Sequence, residues 1–432
     1  MSTLETVPTT PPLVQGATLR RFPVHALWLT SLVSIFGNQL TGLAVPWFVL
    51  ETTGSASRTG LTAAVAVIPY ILANFFGGAL VDRVSYRAMS VVSDALSAVT
   101  VALIPILSLT VGLSFPALLA LMFAGAVLDA PGSTARTAMV PPLSRLTGIS
   151  IERINANFGM IAAFTTLFTA PLAGLLIAWL GAVNVLWLNS GTFVVSALAV
   201  LIAIPPIKHA ASSGESFLRD VRDGLGYVWN HALLRTLIGG ALMVNMVFAP
   251  LFGVAIPWFA NQELRSVEAL GVMLGGEGLG ALVGAYLYGR IGRRFRRRAL
   301  LLSSLALLTL PIVPLAFVST VIPATLLLVL IGMGSGMVNP MLGTFLQTTT
   351  PERYMGRVMG MLGAGAMVAQ PLGLFLGGMM LGWLGFSGFV GCVAITMLVV
   401  SVVLVSAPSL HLLDVPGETA VEPGQQEVAS NQ

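Results

Sequence analysis

Apolar runs about twenty residues long follow one another almost without interruption from residue 26 to residue 407. A bilayer core takes ~20 apolar residues per helical span. Lipid offers open backbone groups no partner, so spanning segments are helices or a closed barrel. Runs of this length without strict alternation select helices. Twelve are expected, at 26–50, 60–81, 89–110, 116–138, 156–180, 184–204, 236–260, 270–289, 299–318, 323–347, 358–382 and 387–407. Only 9% of the residues are charged and 56% are hydrophobic, whereas soluble domains carry roughly 25% charged residues. Water is not the main solvent of this chain.

The arginines orient the spans. With both termini inside, Arg58 and Arg265 are the only basic residues on outer loops, and every other Arg and the single Lys208 fall inside. The loops at 111–115, 181–183, 319–322 and 383–386 carry no charge. Positive charge accumulates on the cytoplasmic side, so the expectation is a multi-pass protein of the cell inner (plasma) membrane with cytoplasmic termini. The net charge of +4 therefore reflects membrane orientation, and no nucleic-acid partner is expected. Arg20 and Arg21 precede an apolar run too long for a secretory h-region, which reads as an uncleaved first span. A lone Cys392 in an apolar run excludes intramolecular disulfides.

Polar segments mark the boundaries. Residues 1–19 and 408–432 read as disordered tails, the second acidic through Asp414, Glu418, Glu422 and Glu427 with no Lys or Arg. Within 205–235, Phe217, Leu218, Val221, Leu225, Val228 and Trp229 recur at helical spacing opposite Arg219, Asp220, Arg222 and Asp223. That pattern predicts a cytoplasmic linker with an amphipathic helix on the membrane surface.

The chain also repeats itself. Val45-Pro46-Trp47-Phe48 returns as Ile256-Pro257-Trp258-Phe259, "GGALVDRVSYR" at 77–87 returns as "GAYLYGRIGRR" at 284–294, and Pro171-Leu172-Ala173 returns as Pro371-Leu372-Gly373. The offsets are 211, 207 and 200 residues, so six spans are followed by six more in the same orientation. The expected architecture is an all-α membrane protein with two pseudo-symmetric six-helix bundles, 20–204 and 236–407, around a polar cavity.

Gly78-x-Leu80-x-Asp82-Arg83-x-x-x-Arg87 resembles the signature of the major facilitator superfamily between spans 2 and 3, with Ser85 and Tyr86 replacing the usual Gly-Arg. Asp82 at a membrane surface can accept from a helix N-terminus. The resemblance implies a gating loop, with the receiving helix beginning span 11 near Gly356-Arg357-Val358. "ARTAMVP" at 135–141 and "FLQTTTPERYMGRV" at 345–358 are similar to the drug-exporter branch that includes macrolide and siderophore exporters of the enterobactin type. Many relatives in that branch carry an acidic residue in span 1 where this chain has Asn38. The superfamily implies that spans 1, 4, 7 and 10 line the cavity and that 2, 5, 8 and 11 flank it.

On that frame the intramembrane charges acquire roles, because a charge near the bilayer centre costs ~2.5–3.5 kcal/mol on insertion scales. Asp129 in span 4 and Glu277 in span 8 are the proton-coupling candidates. Asp129 has the alternative of an ion pair with Arg136 on its own helix, and Glu277 that of a helix–helix hydrogen bond. Asp94 reads as structural, paired with a nearby loop arginine. Asn38, Gln39, Asn245, Asn339 and Gln347 are candidate substrate hydrogen-bonders, with interhelical glue as the alternative. Trp47, Trp258 and Trp383 read as interface anchors. Met337, Met341 and the methionines of 355–367 suit an adaptable apolar lining, or simple packing.

Other classes lack their chemistry. An ATP-driven pump needs a Gly-rich phosphate loop ending in Lys, but Lys208 follows Ile204-Pro205-Pro206-Ile207. The four histidines (His25, His209, His231, His411) lie outside spans or at their ends, and no G-x-S-x-G elbow or His/Cys metal cluster exists, so neither enzyme, cofactor nor metal site is expected. A channel wants charge rings or a repeated filter loop. The expectation is a monomeric exporter of a small amphipathic molecule, working by alternating access as a proton antiporter. An importer or lipid-like solute mover on the same fold is the alternative.

Overall fold

The computed structural model describes residues 21–81, 85–206, 226, 229, 232–292, 294–295, 297–349 and 367–406. Regular structure among the described residues is helical throughout. Helix α1 (Phe22–Thr53) is followed by α2 (Ala56–Val81), α3 (Tyr86–Thr110), α4 (Phe115–Ala138), α5 (Val140–Thr147), α6 (Ile151–Leu180) and α7 (Ala182–Ala203). After the linker come α8 (Ala232–Pro250), α9 (Val267–Ile291), α10 (Arg297–Thr309), α11 (Ile312–Leu315), α12 (Val321–Thr349) and α13 (Gln370–Ser406). Ten helical stretches among the described residues are long and apolar enough to cross a membrane. The tails, most of the linker and the 345–358 motif beyond Thr349 lie outside the described residues.

Four local results depart from the apolar pattern. First, α5 is a separate helix in what reads as a loop. Its Val140, Leu143 and Thr147 are buried, and the two apolar residues join a cluster with Val24, Leu27, Ile154, Val200 and Ile204. An eight-residue helix is too short to register as a span, and Gly148 (φ 69°) ends it in the left-handed conformation. Second, the ninth expected span is broken into α10 and α11 around Leu310-Pro311, where proline supplies no N–H to the helix ladder. Third, the last two expected spans are two helices that abut within α13 at Gly385, whose φ of 67° and ψ of -178° are non-helical, so the chain turns there with almost no loop.

The fourth concerns the repeat. Val45-Pro46-Trp47-Phe48 lies in the regular helix α1, whereas α8 continues into π-helical turns at Leu251–Ala255 and Phe259–Glu263 on either side of Ile256–Trp258. Proline cannot donate, and a wider turn is one way to accommodate the missing bond. Here Pro250 and Pro257 stand at the starts of these wide and narrow segments.

Helices α1, α6 and α7 pack together, α3 packs on both α4 and α7, and α2 packs on α4. On the other side α12 packs on α9 and α10, and α8 on α13. The two groups meet through α2 on α13 and α6 on α9. Both meetings are glycine crossings. A Cβ on Gly60 would stand 2.4 Å from the Leu374 carbonyl oxygen, and one on Gly174 would stand 2.8 Å from that of Val267. Two to three turns beyond the close approach of Gly278 to Thr166, Gly159 and Gly289 have nothing within 4 Å. The facing glycines of α6 and α9 thus stand apart at the end where α6 begins and α9 finishes.

Candidate functional site

An ionic cluster lies buried among α1, α2, α3, α4 and α7. Helix α4 supplies Asp129 and Arg136, seven residues and so about 10 Å apart along one face. Gly132 between them lies against Ser93 of α3, where a Cβ would meet the serine Cβ at 2.8 Å. That close approach lets Arg136 reach across. Its guanidinium donates to Asp94 Oδ1 at 2.8 Å and to Ser34 Oγ at 3.2 Å. The other Asp94 oxygen accepts from Ser196 Oγ of α7 at 2.5 Å. Asp94 is fully buried, and Asp129 and Arg136 are 3% and 6% exposed.

Asp129 is held differently. Its Oδ2 accepts from Asn38 Nδ2 at 2.8 Å and from the Tyr70 hydroxyl at 2.5 Å. Its Oδ1 has no hydrogen-bond partner and sits 3.9 Å from Arg136. Two carboxylates thus share one guanidinium, leaving a formal charge of −1 in a buried site. An unpaired buried charge is costly unless neutralised.

Of the two readings for Asp129, the same-helix ion pair exists only at that long distance. The arginine's short contact is with Asp94, whose partner is thus the intramembrane Arg136 rather than a loop arginine. Tyr70, Ser34 and Ser196 are cluster members that sequence reasoning missed. Each is one hydroxyl with nothing in the local pattern to single it out, and only the packing of three further helices around α4 brings them in.

The remaining candidates scatter. Gln39 donates to Thr165 of α6 at 3.3 Å. Asn245 donates to the Ala241 carbonyl and accepts from Gln370 at 3.3 Å. Asn339 is exposed on α12, and the Gln347 side chain lies outside the described residues. Glu277 is partly exposed, and no ionic partner faces it among the described residues. It stands on the flank of α9 away from the exposed Val272, Leu279 and Val283. Its backbone is pressed against α12, where a Cβ on Gly332 would lie 2.0 Å from the Glu277 carbonyl oxygen.

In the signature loop, Gly78 falls in the last turns of α2, while Asp82 and Arg83 lie outside the described residues. Arg87 donates to the Leu201 carbonyl in the last turn of α7, where it caps that helix end. Ser85, which departs from the signature, caps α3 by accepting from the Ala88 N–H at 3.1 Å. Met337 and Met341 are buried among Leu300, Leu301, Leu305 and Leu404, which is packing rather than a lining. Trp47 is also inside, 5% exposed and donating to Glu51, whereas Trp383 is 77% exposed. Among the described residues no group of three His, Cys, Asp or Glu is placed to hold a metal.

Comparison with known proteins bears on the fold and the chemistry together. The family model of the Major Facilitator Superfamily matches residues 27–253 and again 238–427. The chain is 31% identical over 403 residues to the multidrug efflux pump Tap of Mycolicibacterium fortuitum, covering 91% of this chain and 98% of the pump. It is 28% identical over 410 residues to Tap of Mycobacterium tuberculosis, covering 93% and 97%. To the enterobactin exporter EntS of Escherichia coli it is 26% identical over 360 residues, covering 82% and 84%. Among solved structures, the nucleoside transporter NupG superposes with a TM-score of 0.73 at 11% identity, covering 93% of this chain and all of NupG. A bacterial homologue of the lysosomal transporter Spinster, in an inward-facing and unoccupied conformation, gives 0.68 at 14% identity, covering 92% and 98%.

Proposed function

The chain belongs to the Major Facilitator Superfamily, and on that premise we propose that it exports small amphipathic molecules in exchange for protons, by alternating access. Efflux rests on the likeness to pumps named for it, which makes the protein a transporter rather than an enzyme. Twelve spans in two bundles follow if α2 and both arms of α13 each cross the membrane. The scarcity of arginine on the loops at Arg58 and Arg265 supports cytoplasmic termini. In that orientation a cleft between α6 and α9 faces the cytoplasm and the glycine crossings close the outer side.

The observation that carries proton coupling is the buried cluster with one carboxylate oxygen unpartnered. Asp129 takes the proton. Asn38 and Tyr70 hold its other oxygen, and Arg136 ties its charge state to Asp94. Protonation removes the residual negative charge and lets α4 shift against α1 and α2, the step that couples it to reorientation. Glu277 has no countercharge among the described residues and lies on the cleft side of α9, so it is assigned to attracting cationic cargo, with Asn339 and Asn245 as polar contacts.

The test is transport of ethidium, an amphipathic cation, by purified protein in proteoliposomes with and without a pH gradient. Asp129→Asn is expected to abolish gradient-driven transport while ethidium counterflow at equal pH continues. A variant that keeps its pH-gradient dependence removes Asp129 from the coupling role.

A further inference from the structure

The short helix α5 stands outside the apolar pattern, and its two faces differ in kind. Val140, Leu143 and Thr147 face the protein, the first two within the cluster that joins the ends of α1, α6 and α7. At 100° per residue Arg145 falls opposite that face, where it is exposed together with Pro141 and Leu146. One side of the helix is thus anchored in protein, and the other turns a cation and apolar neighbours outward, as interfacial helices do.

Helix α6 begins just beyond, and Arg153, Met160, Phe164 and Phe168 form one outward column on it. The three apolar members are 60%, 54% and 50% exposed, a surface that acyl chains cover on a spanning helix. Arg153 stands at its foot, about 10 Å from Met160 along the axis. Asn157, the polar residue between them, turns its amide back to the Arg153 carbonyl at 2.9 Å. Glu152 lies 100° around the helix, in line with Gly159 on the side that faces α9. Neither Arg145 nor Arg153 has an acidic partner among the described residues. Arg21 and Phe22, at the start of α1, are exposed at the same end.

We propose that this end of the first bundle binds an anionic phospholipid. Arg145 and Arg153 hold the headgroup phosphate, whose oxygens match the guanidinium fork, and the column from Met160 to Phe168 carries an acyl chain. Arg21 adds to the positive field. The occupant is a lipid rather than a free anion because the apolar column runs on from the arginines. The site bears on transport through α4. Only the buried Met139 separates α4 from α5, and Arg136 of the ionic cluster stands in the last turn of α4. A headgroup that holds α5 at the membrane surface therefore holds the end of α4 that carries Arg136. The inference goes beyond the reading above and rests only on the chain crossing a membrane.

The experiment titrates phosphatidylglycerol into the full chain purified in uncharged detergent and follows the melting point. Wild type should be stabilised as the lipid binds. Arg145→Gln and Arg153→Gln should each raise the lipid concentration for half the shift about fivefold, and together about 25-fold. Without lipid they should melt as wild type does, since both side chains are exposed and unpaired. Arg265→Gln, which removes the same charge from an outer loop, should keep the wild-type titration. Phosphatidylcholine and inorganic phosphate should give no shift. Ethidium counterflow in phosphatidylcholine vesicles should rise when phosphatidylglycerol is mixed in, for wild type and not for the double variant. The site is overturned by an unresponsive wild type, by a wild-type titration in the double variant, or by equal loss in Arg265→Gln. A shift with inorganic phosphate equal to that with lipid overturns it as well. Stabilisation without a rise in counterflow overturns the link to α4. None of these readouts depends on proton coupling, so failure of that reading leaves them standing.

Discussion

The two halves repeat one another in sequence but are held together by different physics. In the first, helices are joined by charges and hydroxyls. Asp94, Asp129 and Arg136 tie α3 to α4, Ser34 and Asn38 bring in α1, Tyr70 brings in α2, and Ser196 brings in α7. In the second, Gln370 joins Asn245 and Thr309 joins Ser401 across helices, contacts between uncharged groups. Its closeness comes from missing side chains. On α9, Gly280 and Gly284 lie against the backbone of Val329 and Met333, and on α12, Gly332 and Gly336 lie against that of Glu277 and Ala281. Small residues let backbones approach in lipid, where no hydrophobic drive pulls helices together. A steric seam of this kind has one arrangement, whereas an ionic cluster has two, protonated and not. On the proposed coupling, the first half is the one that responds to protons.

The largest expected effects fall on the elements that define each half. Arg136→Met strands two buried carboxylates, and loss of one partner from a buried ionic set costs about 3–5 kcal/mol; thermal melting of the purified protein should show it, and a melting point close to wild type would mean the cluster holds nothing. Gly336→Val should be comparably severe, since its Cβ meets the Ala281 carbonyl oxygen at 1.9 Å with only backbone to give way. The two should differ in pH response: melting of Gly336→Val should vary with pH as wild type does, while Arg136→Met should change that dependence.

Next in size is the contrast between the acids. Asp129→Asn should remove gradient-driven transport. Glu277→Gln should leave the pH dependence intact and raise KM for ethidium about fivefold, equivalent to ~1 kcal/mol of lost charge attraction. Equal loss of pH dependence in both variants would erase the division of labour. Ser196→Ala removes a hydrogen bond to a charged group, worth about 1.5–3 kcal/mol, read from melting and from the driven rate. Smallest is Thr309→Val in the second half, ~0.6 kcal/mol for one interhelical hydrogen bond in lipid; a larger loss there than at Ser196 would reverse the comparison.

Much of the fold was legible because lipid is a demanding solvent. Run lengths report the bilayer directly, so the main helices stand where the apolar pattern puts them. What the pattern missed is local backbone chemistry: α5, too short and two-faced to read as a span; the break at Leu310-Pro311; and the π turns of α8, where the same Pro-Trp-Phe motif is regular in α1. The site was half legible. Asp129 stood out because a charge in an apolar run needs a reason, and Arg136 was visible as its companion. Arg136 seven residues away suggested a same-helix pair, yet the guanidinium chose Asp94, forty-two residues away, because Gly132 lets α3 come close.

By itself, the sequence determined the helical class, the repeated architecture, the basic asymmetry of the loops and the list of residues too polar to sit in lipid without cause. These follow from composition and period, which any solvent-exposed or lipid-exposed helix must obey. Tertiary structure alone decided which of those polar residues meet. Asn38 and Gln39 are neighbours in sequence, but one holds the Asp129 carboxylate and the other a threonine on α6, because successive residues on a helix point 100° apart. Partnership among buried charges depends on the faces that helices present to one another, and no local pattern encodes that choice.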